Sequence, residues 1–119
     1  MLHSHMLKER AGSILVVILS GELDHHEAAE LRLRIDHELE KMDSPKLLLD
    51  LRDLAFMDSA GLGVFLGRYK KVLAKKGEMA IAGPPKPVMR LLEMSGFHRI
   101  MTIYTSRAEA LTVMKGVKA

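Results

Sequence analysis

Ser13-Ile-Leu-Val-Val-Ile-Leu-Ser20, then Gly21-Glu-Leu-Asp-His-His26 opening an amphipathic stretch, is the passage on which the fold turns. The first segment is short, β-branched and almost continuously apolar, as a strand buried on both faces requires. From His25 the apolar residues fall instead at three- and four-residue spacing, through Ala28, Leu31, Ile35, Leu39 and Met42, with Glu30, Arg34, Glu38 and Lys41 between them. That spacing predicts a helix with one buried face. The same alternation recurs downstream. Lys46-Leu-Leu-Leu-Asp50 reads as a strand, and Leu62, Phe65, Leu66, Tyr69, Val72 and Leu73 form a helical stripe, with Arg68, Lys71 and Lys75 facing away and Gly77 closing the helix. Met79–Ala82 is a third strand. Prolines 84, 85 and 87 start another helix through Val88, Leu91 and Leu92, with Gly96 as its cap. Ile100–Tyr104 is a last strand, and Ser106-x-x-Glu109 is a capping box for the final helix. The order βαβαβαβα implies crossover connections and one α/β domain, a mostly parallel sheet of about four to five strands packed with about four helices.

With 119 residues the chain has room for one core, so residues 1–119 are expected to form a single domain. Residues 1–6, with His3 and His5, read as a flexible or cloning-derived start. No apolar run reaches the roughly 18 residues of a membrane span, and the start lacks the pattern of a secretory signal. The absence of cysteine fits a reducing cytoplasm and removes thiolate chemistry. The 9 methionines read as core filling. Residues 1–58 carry 7 Lys and Arg against 12 Asp and Glu, whereas residues 59–119 carry 11 against 3. The basic half lacks interleaved aromatics, so the charge is read as solvated helix faces able to steer an acidic partner, without nucleic-acid binding.

Chemistry is expected where strands end and helices begin. In Phe56-Met-Asp-Ser-Ala-Gly-Leu-Gly63 an acid and a serine precede a glycine-rich first helical turn. A helix start offers unpaired amides and partial positive charge, so either Ser59 or Asp58 can serve as the cap, and a phosphate on Ser59 would be tolerated locally. Gly61 and Gly63 would let a partner approach the serine closely. A nucleophile elbow is excluded because Met57 stands at its first glycine position. Gly61-x-Gly63-x-x-x-Gly67 has one residue too many for a dinucleotide fingerprint, and the next strand ends in Gly83 instead of an acid, leaving at most a weak nucleotide contact. The second acidic segment, Glu22 to His26, would lie on the same sheet edge. Asp24 with Glu27 there makes a capping-box variant. His25 and His26 point about 100° apart on a helix and make a poor metal pair, so neither a metal nor a cofactor is expected.

Leu19–His26, Phe56–Lys71 and Met94–Ile100 together resemble the STAS domains of the anti-sigma factor antagonist family, over nearly the whole chain, and the sporulation members more than the general-stress members. The resemblance implies a cytoplasmic, non-enzymatic binding protein. In the unphosphorylated state it would bind a nucleotide-bound dimeric anti-sigma serine kinase (SpoIIAB-like) and release sigma factor F. Phosphorylation would fall on Ser59, with a SpoIIE-like phosphatase reversing it. The partner-binding face would comprise Glu22, Asp24, His25, Asp58, Ser59, Ala60, Gly61, Leu62 and Gly63. At Ala60 the sequence departs from the family, where a second Ser or Thr usually stands, which leaves Ser59 as the only hydroxyl in the loop. A stress-signalling partner switch is the alternative within the family, and a nucleotide-binding module the alternative outside it. The apolar stripes are accounted for by one packed sheet, which favours a monomer.

Overall fold

A computed structural model of the chain describes residues 1–116. Five strands form one sheet in the order β1-β2-β3-β4-β5, where β1 is Leu2–Glu9, β2 Ile14–Leu23, β3 Lys46–Met57, β4 Glu78–Ala82 and β5 Thr102–Tyr104. The helices are α1 (His25–Glu40), α2 (Ser59–Ala74), α3 (Lys86–Met94) and α4 (Arg107–Met114), with a 3-10 turn at Phe97–Arg99. All neighbouring pairs from β2 onward are parallel, and β1 alone runs antiparallel to β2. No helix among the described residues is long and apolar enough to cross a membrane.

Alternation along the central strands divides the core. Leu15, Val17, Leu19, Leu47, Leu49 and Leu51 face the side that carries α1, α2 and α3. Ile14, Val16, Leu48, Ala80 and Ala82 face the opposite side, which Ala110 and Met114 of α4 cover. Both faces of β2 are therefore buried, which is why its sequence lacks polar alternation.

Three expectations change. The first residues are not a flexible start: Leu2–Glu9 is an edge strand registered against β2 from Leu2 opposite Gly21 to Glu9 opposite Ile14. Leu2 and Met6 pack against the core while His3 and His5 face outward, a period-two pattern masked by the polar Ser4. Helix α2 is also rotated from its expected phase. Gly61, Val64, Phe65, Arg68 and Val72 point inward, whereas Leu66 and Leu73 are 37% and 48% exposed. Phe65 and Val72 are buried and Leu62 and Tyr69 pack on the core as expected, while Arg68 turns inward to an ion pair with Asp36 at the α1–α2 contact. Finally, Gly77 does not terminate α2 through its own conformation. The left-handed residue is Lys76, at φ 60°, and Gly77 is needed because a Cβ there would lie 1.9 Å from the Pro45 carbonyl oxygen.

The register explains how a site is lifted clear of the sheet. β3 pairs with β4 only from Lys46 to Asp50, but continues alongside β2 until Leu23 meets Met57. Two irregularities, between Ile18 and Ser20 and between Gly21 and Glu22, twist this extension. The ends of β2 and β3 thus project as a two-stranded ribbon, delivering the starts of α1 and α2 side by side.

Candidate functional site

Each strand of the ribbon runs into its helix through one aspartate. Asp24, in extended conformation at φ −107°, caps α1 by accepting hydrogen bonds from the amides of His26 (2.9 Å) and Glu27 (3.2 Å). Asp58 caps α2 in the same way, its Oδ1 accepting from the amides of Ala60 (2.9 Å) and Gly61 (3.3 Å). The second oxygen of Asp58 reaches across. Oδ2 accepts from the amide of His25 at 3.1 Å, the His25 Nδ1 lies 3.8 Å away, and the Asp58 amide donates to the Leu23 carbonyl at 3.3 Å. One carboxylate therefore ties both helix starts into a single rigid edge.

Desolvation works to raise the Asp24 carboxyl, but the two amide hydrogen bonds and the neighbouring imidazoles of His26 and His25 outweigh it and hold the group below its ordinary value. Asp24 is thus an anion on this edge. Glu22 lies exposed two residues earlier in β2, opposite Phe56 in the register.

With Asp58 established as the cap, the hydroxyl of Ser59 has no hydrogen-bond partner among the described residues. Ser59 is exposed on the first turn of α2. The two glycines beside it differ in role. Gly63 is exposed, with nothing within 4 Å of where a Cβ would sit, so the surface there is open. Gly61 is buried, and a Cβ would meet Met57 Cγ at 2.5 Å and Leu23 Cγ at 3.0 Å. Its absent side chain serves helix-to-strand packing, not partner approach, which corrects the expectation for Gly61. Leu62 and Ala60 are half-buried and pack on the core. Glu22, Asp24, His25, Asp58, Ser59, Ala60 and Gly63 lie along the edge formed by the ribbon and the two helix starts. His25 and His26 lie with ring centroids 4.0 Å apart and planes tilted by 39°.

Two features escaped the sequence. Phe56 is 48% exposed on the ribbon, beside Glu22, and adds an aromatic surface to the edge. Its only sequence signal was an aromatic two residues before the Asp-Ser pair. The bond from His25 to Asp58 joins residues 33 apart and carries no local signal at all.

Residues 5–110 match the STAS domain family. The chain is 46% identical to the anti-sigma F factor antagonist of Paenibacillus polymyxa over 109 residues, 92% of this chain and 93% of the relative. This chain belongs to the STAS-domain anti-sigma factor antagonists. Its fold superposes on the structure of the anti-sigma factor antagonist SpoIIAA in its unphosphorylated form with a TM-score of 0.86, at 25% identity, covering 98% of this chain and 100% of that one. The structure of the Bacillus cell fate determinant SpoIIAA in the phosphorylated form superposes with a TM-score of 0.73, at 25% identity, over 92% and 96% of the two chains. STAS antagonists of this kind act as regulators of sigma factors.

Proposed function

We propose that this chain is a phosphorylation-gated switch working in the cytoplasm as a monomer. Unphosphorylated, it binds a nucleotide-bound, dimeric anti-sigma serine kinase of the SpoIIAB kind through the edge formed by Glu22, Asp24, His25 and the Asp58–Gly63 turn, and so frees sigma factor F. The kinase phosphorylates Ser59 and the complex dissociates. A SpoIIE-like phosphatase restores the binding form. The chain is a substrate and ligand in this cycle, and performs no catalysis itself.

The observation that carries the reading is the unpartnered, exposed hydroxyl of Ser59 on a turn whose capping is already done by Asp58. A capping serine would lose its helix bond on modification. Here the γ-oxygen can accept a phosphoryl group without breaking a bond that holds the fold. The added charge of about −2 falls among Asp24, Asp58 and Glu22, where it adds like-charge repulsion within the face and bulk at the contact, and must be desolvated if the contact buries it. At the helix start it is tolerated by the protein itself. Gating therefore acts on binding while leaving the fold intact.

The test is to mix the purified chain with the kinase and ATP, take an intact mass and locate the modification by fragmentation. A single phosphate on Ser59, lost in Ser59→Ala, is expected. No phosphate under conditions in which the kinase modifies a known substrate would refute the reading.

A further inference from the structure

Behind the Ser59 turn, α1 and α2 pack closely and leave between them an open groove of about 450 Å³. Its floor is made of Ala28 and Ala29 on one side and Ala60 and Gly63 on the other, and it continues past Gly67, where a Cβ would meet nothing within 4 Å. Such a floor of methyl groups and backbone accepts the ridge of another helix, but small residues alone specify no ligand.

The charges do. Arg68 lines the groove and is 5% exposed, an unusual burial for a guanidinium. Its Nε lies 2.8 Å from Asp36 Oδ1 without hydrogen-bond alignment, and both Nε and Nη1 are buried with no hydrogen-bond partner. Asp36 is moreover shared with Lys71, whose Nζ is 2.9 Å from Oδ2. Arg32, exposed on the opposite wall, makes no ion pair among the described residues. Burial lowers the Arg68 guanidinium from its ordinary value, Asp36 works against that, and Arg32 adds to it. Arg68 and Lys71 thus share one carboxylate, and Arg32 is left beside them without one. Buried donors are normally satisfied, and an exposed cation without a counter-ion is complemented by an incoming anion.

We infer that the α1–α2 groove is a second docking surface, which receives a helix of the anti-sigma partner with an apolar ridge over Ala28, Ala29 and Gly63 and an acidic side chain between Arg32 and Arg68. The assignment rests on the partner-binding reading above, and extends that interface along the helices through the shared Ala60 and Gly63. It also gives the contact a polarity. The turn presents acids and calls for partner cations, whereas the groove presents guanidinium groups and calls for a carboxylate. A partner segment carrying both charges in that order docks in one direction only.

Calorimetric titration with the nucleotide-bound kinase separates the two claims. Gly67→Leu fills the groove away from the serine turn, and replaces a helical glycine, so its melting temperature is expected not to fall. Arg32→Ala removes the exposed cation. Each is expected to weaken binding by about ten-fold or more, with Arg32→Lys recovering part of the loss. Kinase affinity within two-fold of wild type in Gly67→Leu or Arg32→Ala, alongside loss of binding in Ser59→Asp, overturns the groove and spares the Ser59 switch. Failure of the wild-type chain to bind the kinase overturns both. Inorganic phosphate serves as the free-anion probe: saturable shifts of the Arg68 Nε–H resonance at sub-millimolar phosphate would make this a small-anion site and refute docking, whereas an unmoved resonance supports it.

Discussion

Replacing Asp58 separates the two jobs its carboxylate performs. Asp58→Ala deletes the α2 cap, a loss of about 1 kcal/mol for an aspartate at this position. It also deletes the acceptor for the His25 amide, a charge-assisted bond contributing about 1 to 2 kcal/mol where the group is largely shielded. The Asp58 side chain is 28% exposed, so the lower half of that range applies to the tether, and the sum is about 2 to 2.5 kcal/mol. For a domain of this size each kcal/mol shifts the melting temperature by about 4 °C, giving a drop of roughly 8 to 10 °C. Asp58→Asn is the informative comparison. Its Oδ1 still accepts from Ala60 and Gly61, because asparagine caps helices well, but its amide nitrogen faces the His25 N–H and cannot accept from it. The Asn variant should lose only the tether, about 1 kcal/mol, and should raise the hydrogen-exchange rate of the His25 amide while leaving Ala60 and Gly61 protected. Kinase affinity should fall in Asp58→Asn although Ser59 is untouched, because the two acidic turns lose their fixed spacing. Equal stability and unchanged His25 exchange in the Asn variant would refute the tether, and equal losses in Asn and Ala would refute the division of labour.

Ser59→Ala and Ser59→Asp should each melt within about 2 °C of wild type by calorimetry, since neither breaks a cap, a stability change of about 0.5 kcal/mol or less. Gly61→Ala should cost about 1 to 2 kcal/mol in denaturant unfolding, the strain against Met57 and Leu23 exceeding the gain in helix propensity. Gly63→Ala, where the space is open, should stabilise by about 0.5 to 1 kcal/mol, so the two glycines are expected to give opposite signs. Asp24 predicts an acid dependence. Its carboxyl is lowered in the folded state, so its contribution is fully present above the ordinary carboxylate value of about 4 and is lost as pH falls through the lower folded value. Melts across that window should show a slope that Asp24→Asn reduces.

How legible the fold was depends on the range of the forces involved. The buried strands β2, β3 and β4 and the inward residues of α1 follow from local apolar periodicity, because Ala28, Leu31, Ile35 and Leu39 have no competing attraction. Helix α2 does, since Arg68 reaches a carboxylate on another helix, and no periodicity within residues 59–74 records that Asp36 is waiting for it. Strand β1 was missed for a different reason: an edge strand needs apolar residues only on one face, and Leu2 and Met6 separated by His3, Ser4 and His5 fall below what alternation can signal. The capping box at Ser106 was half legible. Ser106 accepts from the Glu109 amide at 3.1 Å, but the Glu109 carboxylate reaches back to the amide of Thr105 at 3.2 Å, one residue before the expected partner.

The site divides along the same line. That an aspartate would stand at each helix start was readable from Asp24 and from the Asp58–Ser59 pair, but which of the latter caps was not, because both residue types do so comparably. Tertiary structure decides it. The extra carboxylate oxygen of Asp58 is spent on the His25 amide, a demand a serine hydroxyl at the cap could not meet while also serving Ala60 and Gly61. The same bond that locks the two turns together thereby leaves Ser59 unencumbered. A rigid edge holding a hydroxyl with no structural duty suits the proposed charge switch: modification would change what the surface binds and spare the fold that presents it.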